Sequence, residues 1–260
     1  MNSFNPAIVI PVYRHGKACM NVVNSLEEYC RSTSTKIILI DDGNEEETKN
    51  CLSQISSEYP DLVTLVTLPQ NSGKGGAFFA GIKKCTELGI THALQIDADG
   101  QHDTNRCAFF FDKAKELPDT LICGYPEYDE SAPGHRKNGR KFANTWCAAV
   151  TWEKQIKDSM CGFRLYPVEK TFRCISKSRM DMRMGFDIDI LVRLIWSGLT
   201  YAFYPVKVTY PSDGISNFNV VRDNVRISWV FTKLCCGMFV RIPLLLWRKI
   251  SGSHLYKGGE

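Results

Sequence analysis

No C-x-x-C pair occurs anywhere in the 260 residues, although there are eleven cysteines, an odd number. Most, such as Cys85, Cys107 and Cys147, sit inside apolar periodic segments. That pattern excludes a disulfide framework and a zinc ribbon, and reads as reduced, buried thiols in a cytosolic setting. An excess of charge of one sign is also lacking: 32 Lys and Arg face 28 Asp and Glu, and the net of +4 is too weak to argue for nucleic acid, so no nucleic-acid partner is expected. There is no internal repeat, no low-complexity segment and no G-x-S-x-G nucleophile turn. The N-terminus lacks a basic stretch followed by an apolar one, so no signal peptide is expected. Histidines 15, 92, 135 and 254 carry no partner pattern. The aromatics are dispersed in apolar runs, as core residues are.

What is present is alternation. AIVIPV (7–12), KIILID (36–41), LVTLVTL (62–68) and HALQIDAD (92–99) read as strands. KACMNVVNSLEEYC (17–30), a polar segment through Ser57, KGGAFFAGIKKCTEL (74–88) and residues 104–116 read as the helices between them. TLICG (120–124) is a further short strand. This order predicts an α/β fold with a doubly wound, mostly parallel sheet flanked by helices. Ligands of such sheets bind beyond the carboxyl ends of the strands, where Asp41, Asp42, Asp97 and Asp99 all fall. After residue 125 the alternation loosens. A Pro/Gly loop (YPEYDESAPGH) precedes a helix near 136–155, a strand-like CGFRLYPV, a helix at 185–197 and a strand YAFYPVKVTYP. The expected division is a catalytic domain over 1–220 and a C-terminal amphipathic segment over 221–260.

Several clusters carry chemistry. In LQIDADGQHD (94–103), Asp97 and Asp99 converge past a strand end, with Gln101 and His102 in reach as neutral ligands. Hard carboxylate oxygens suit Mg²⁺ or Mn²⁺ bridging to a diphosphate; a solvated acidic turn is the alternative. ILIDDG (38–43) fits nucleotide recognition or, equally, helix capping. LPQNSGKGGAFFAG (68–81) is not a Walker A loop, because Leu68 and Gly75 stand where that motif needs Gly and Ser or Thr. Lys74 at its helix start can still contact phosphate; otherwise the glycines permit close packing. Arg136, Lys137, Arg140 and Lys141 line one helix edge, suited to a phosphate or simply solvated. DSMCGFRLYP (158–167) sets Asp158 and Arg164 around a buried-looking Gly-Phe. Asp187 and Asp189 open an amphipathic helix, where acids ordinarily complement the helix dipole.

Taken in order, Pro11 and Tyr13, IDDG, NSGKGGA, DADGQH and DSMCGFRLYP resemble glycosyltransferase family 2, over roughly residues 6–217. Within it the chain is similar to the dolichyl- and polyprenyl-phosphate sugar transferases, and to a bacterial subgroup resembling lipid- or polyene-modifying enzymes. The resemblance implies a GT-A fold, a UDP- or GDP-linked sugar donor, a divalent metal (Mg²⁺ or Mn²⁺) and inversion at the anomeric carbon. By matching position, Pro11, Tyr13, Asp41, Asp42, Lys74 and Asp97 would serve the nucleotide sugar. Asp97, Asp99 and Gln101 would hold the metal, and Arg136, Arg140 and Arg164 would meet phosphates or acceptor. A hydroxyl acceptor would require a general base, for which Asp158 is the first candidate with Asp187 and Asp189 behind it; a phosphate acceptor would require none. The pattern departs at PSDGISNF (211–218): Pro211 and Asn217 stand where the phospholipid-sugar synthases carry arginine and lysine. A nucleotidylyltransferase of related fold and a non-catalytic scaffold remain alternatives.

The tail from Ile227 to Trp247 is strongly apolar, but Lys233 and Arg241 interrupt it and Pro243 is expected to break its helix. Each cation buried in a bilayer costs about 2.5–3.5 kcal/mol. The segment therefore reads as an interfacial helix at the cytoplasmic face of a membrane, next to a lipid or lipid-linked acceptor. Packing against the domain is the alternative.

Overall fold

A computed structural model describes residues 4–128, 134–209 and 219–258; the side chains of 128, 134–138 and 220 are outside what it describes. The elements run β1 (Pro6–Val12), α1 (Gly16–Thr33), β2 (Lys36–Asp41), α2 (Glu46–Glu58), β3 (Val63–Thr67), α3 (Gly73–Glu87) and β4 (His92–Gln95). They continue with α4 (Arg106–Glu116), β5 (Thr120–Tyr128), α5 (Gly134–Thr151), β6 (Arg164–Pro167), α6 (Val168–Ser176), α7 (Phe186–Trp196), β7 (Thr200–Val208) and α8 (Val220–Ile250).

One seven-stranded sheet has the order β3-β2-β1-β4-β6-β5-β7. All neighbours are parallel except β6, which runs against both β4 and β5. Alternate strand residues face opposite sides and build two cores. Ile8, Ile10 and Val12 join Leu26, Leu52 and Phe110 from α1, α2 and α4 on one face. Ala7 and Val9 join Phe78, Ile82, Ile190 and Phe231 from α3, α7 and α8 on the other. All eleven cysteines are free thiols, seven of them buried. Burial pushes the thiols of Cys30 and Cys85 up to about 12, well above reactivity near neutral pH.

Four differences from the expected elements matter. The strand predicted over 92–99 stops at Gln95, which leaves Asp97 and Asp99 on a turn and frees their side chains from strict alternation. The short helix α6, read from sequence as part of no element, follows directly on β6. The strand predicted from Cys161 begins only at Arg164 and is antiparallel, so its start lies beside the end of β4, with Gln95 paired to Arg164. Finally, α8 passes through Pro243 without a break. Phe239, whose carbonyl loses its i+4 donor, and Pro243 are both exposed, so the loss falls on the outer side of the helix.

The chain leaves β1 toward β2 and β3 on one side, and β4 lies on the other. Between β1 and β4 is the switch point at which doubly wound sheets bind ligands. The turn after β4 is moored at this edge: Asp103 N–H donates to Lys207 O and Thr209 N–H to Gln101 O, at the end of β7.

Candidate active site

At the end of β2, Asp41 accepts hydrogen bonds from the Asn44 backbone (2.9 Å) and side-chain amide (2.7 Å). Asn44 also donates to Val12 O and accepts from Arg14 N–H, which clips the β2 turn to the end of β1. Asp42 reaches the other way. Its carboxylate accepts from Ser72 N–H (2.6 Å), Gly73 N–H (3.0 Å) and the Asn71 amide (3.0 Å). Asp42 therefore caps α3 from outside, and an acid of this chain fills the helix terminus that sequence offered to a phosphate. Burial pushes its carboxyl above the usual range, against the pull of those two N–H groups. Both acids are buried, and Pro11 and Tyr13, at and just past the end of β1, are half-buried.

Lys74, in the first turn of α3, is the residue on which the site converges. Its ammonium lies 2.8 Å from Asp97 Oδ1, past the end of β4, and 2.7 Å from Asp187 Oδ2, in the first turn of α7. Burial opposes the charge, yet the two carboxylates outweigh it and hold the lysine above its ordinary pKa. Burial likewise acts to raise Asp97, but Lys74 foremost, with His102 and Arg164, draws it below the ordinary carboxylate value. The approach is close because α3 is glycine-rich there. A Cβ on Gly75 would meet the Phe186 ring at 2.5 Å, so the packing reading of those glycines holds. Gly162 plays the same part opposite: a Cβ there would lie 2.3 Å from Asp97 Oδ2. The DADG and CGFR motifs therefore touch.

Two fully buried residues lie beneath this cluster. Gln95 donates to Asp187 Oδ1 (3.4 Å) and accepts from the Tyr166 hydroxyl. Arg164 donates to the Asp187 carbonyl at 2.6 Å, while its Nε and Nη2 have no partner among the described residues. Gln95 was not singled out from sequence, though a glutamine inside the apolar run HALQI is the kind of polar interruption that signals it. A buried cation with two idle donors lends positive potential to the floor under Asp97 and Asp187.

Asp99 turns on Gly100 (φ 74°) and accepts from Gln101 N–H at 3.0 Å, which leaves its second oxygen available. Burial and the neighbouring charge of Asp97 push its carboxyl up. His102 lies 3.7 Å through Nε2 from Cys161 Sγ, and its buried Nδ1 has no partner among the described residues. Burial lowers its pKa, against the pull of the Asp97 and Asp99 carboxylates. Among the described residues no preformed group of three or more His, Cys, Asp or Glu makes a complete metal cage. An ion here would take carboxylate oxygens of Asp97 and Asp99, a hard set that suits Mg²⁺ or Mn²⁺, with remaining positions left for a ligand's oxygens. Gln101, expected as a further ligand, meets Asp99 only through its backbone N–H.

The other acids from sequence have different work. Asp158 is buried, paired with Arg140 at 2.7–2.8 Å, and accepts from Met160 and Cys161 N–H. It shapes the turn that presents Gly162. Asp189 is fully buried, ion-paired with Arg193 and bonded to Asp181 N–H (2.8 Å), inside the frame of α7. The side chain of Arg136, in α5, and the segment 211–218 lie outside the described residues.

The acids, the lysine and the buried arginine gather at the switch point of an α/β sheet of GT-A type. Residues 7–175 match Glycosyl transferase family 2, and the chain belongs to that family. It is 27% identical over 223 residues to a dolichyl-phosphate beta-glucosyltransferase of Trichomonas vaginalis, covering 78% of this chain and 67% of that one. It is 24% identical to polyprenol monophosphomannose synthase of Mycolicibacterium smegmatis, covering 82% and 80%. A dolichyl-phosphate beta-glucosyltransferase of Dictyostelium discoideum is 27% identical, and the match spans only 60% of its length. The fold is shared with glucosyl-3-phosphoglycerate synthase from Mycobacterium tuberculosis, solved with Mn²⁺, UDP and its product. There the TM-score is 0.64 at 13% identity, over 90% of this chain and 80% of that one.

Proposed function

We propose that this chain moves a sugar from a nucleoside-diphospho sugar to a phosphate-headed polyprenyl or dolichyl lipid at a membrane surface. The observation that carries the reading is the Lys74–Asp97–Asp187 cluster, set at the switch point with Asp99 and His102 beside it. The names of the relatives favour a phosphate acceptor. So does the state of the acids: Asp158 and Asp189 are consumed by ion pairs and backbone N–H groups, and a phosphate oxyanion needs no base to deprotonate it.

Asp97 and Asp99 would hold the divalent ion, which when bound neutralises charge on the departing diphosphate. Lys74 shifts its ammonium from the carboxylates toward the donor's phosphates, and Asp187 keeps it aimed. Arg164 holds the α7 terminus at the Asp187 carbonyl and adds fixed positive potential, already oriented before the donor arrives. The acceptor phosphate attacks the anomeric carbon from the face opposite the leaving nucleotide, with inversion in one displacement. The outer side of α8, with Val225, Trp229, Val240 and Trp247 exposed, lies against the bilayer that carries the acceptor.

The test is transfer of labelled sugar from a panel of UDP- and GDP-sugars with Mn²⁺, offered polyprenyl phosphate or the matching polyprenol. Product from the phosphate alone is expected. Equal product from the free alcohol would refute the phosphate acceptor.

A further inference from the structure

A second cationic site lies at the far end of α7 from the transfer cluster. A cleft of about 420 Å³ opens between α6, α7 and α8, lined by Lys170, Arg173, Lys177, Arg193 and Arg241, with Cys174 and Trp196 in its wall. Its charges are incompletely balanced. Lys170 pairs with Asp119 and Arg173 with Glu169, both strongly exposed carboxylates, and Arg193 takes the buried Asp189. Lys177 and Arg241 pair with no carboxylate among the described residues.

These cations are not needed to finish α7. Arg248 already donates to the terminal carbonyls of Ile195 (3.0 Å) and Trp196 (2.8 Å). Arg241 instead lies 4.4 Å over the Trp196 ring and bonds only the Gly237 carbonyl. Burial, with Arg193 close by, works against its charge and lowers its pKa. The α8 residues beside it, Val240 and Leu244, are exposed and apolar. A phosphate in the cleft would therefore have its own hydrocarbon chains alongside the outer face of α8.

We infer that this cleft binds the phosphate head group of an anionic membrane phospholipid, at a site separate from the acceptor's. α7 holds the two sites roughly 15 Å apart along its axis. The site rests on the proposed lie of α8 in the membrane surface and gives that contact a lipid preference. Lys177 contributes from an exposed position and Arg241 from a half-buried one.

The two thiols on this side make the test local. Cys236 is exposed on α8 and Cys174 half-buried in the cleft. The full chain is mixed with phosphatidylcholine vesicles, with or without phosphatidylglycerol, and alkylation of each cysteine is followed by mass spectrometry. Both vesicles should protect Cys236, and only the anionic ones Cys174. Co-sedimentation with anionic vesicles should fall about fivefold for Lys177→Gln and further with Arg241→Gln added, with neutral vesicles unaffected. Unchanged binding of both variants, or equal Cys174 alkylation on the two vesicles, would overturn the site. Protection of Cys174 by inorganic phosphate alone, to the same degree, would replace the lipid with a free anion. A Cys236 that stays reactive on both vesicles would instead overturn the membrane contact itself, and the lipid site with it.

Discussion

Lys74 holds together two carboxylates that would repel each other without it, and each of the three groups comes from a different element. Replacing it with methionine keeps the side-chain length and removes the charge. Asp97 and Asp187 then face each other without the cation that bridges them. Lys74→Met should lower turnover by about a hundredfold or more while the far-ultraviolet circular dichroism stays that of the parent. An unchanged kcat would remove the lysine from the donor site. The sequence grouped Asp97 and Asp99 with Asp41 and Asp42 by their places at strand ends, and Lys74 joined them only through the family resemblance. It could not show that Lys74 is the cation beside Asp97, because a salt bridge across separate elements leaves no spacing to read. Asp158 shows the converse. Its neighbours in the chain look catalytic, yet its oxygens are spent on Arg140 and on the turn that brings Gly162 to Asp97.

Among the elements, α3 depends on an acid from β2's turn. Ser72 is its N-cap residue but caps with no side-chain hydrogen bond, and Asp42 supplies the acceptor instead. Asp42→Ala should therefore cost about 1–2 kcal/mol of stability, seen as a lower urea midpoint with an unchanged slope. A loss of nucleotide affinity with no shift of midpoint would mean that Asp42 serves the nucleotide and not the cap. The parallel half of the sheet was legible because each strand is a short β-branched run followed by an amphipathic helix. The antiparallel insertion of β6 was not. RLYP is too short to announce direction, and its place between β4 and β5 is set by long-range pairing and by the buried Arg164. The end of β4 was misjudged for a related reason: IDAD continues the apolar alternation of the strand, and only Gly162 and the moorings to β7 show that the chain has already turned.

For the whole molecule, the outer side of α8 is the surface with most left to meet. Val221–Ile250 is long and apolar enough to cross a membrane, with a mean hydropathy of 1.6 over an 18-residue stretch. Trp229 and Trp247 are each 63% exposed, in line with Val225 and Val240. Trp229→Ser with Trp247→Ser should cut flotation with liposomes severalfold while leaving the melting temperature nearly unchanged, since neither ring is buried. Flotation equal to the parent would separate this helix from the bilayer. The inward side of α8 carries a wider lesson. Arg248 closes the end of α7, so a cation that raises the polarity of the segment is spent on the protein itself. Averaging along a chain weighs the whole circumference of a helix, whereas oil touches only half of it. A segment whose cation faces the protein can still present a greasy flank to oil.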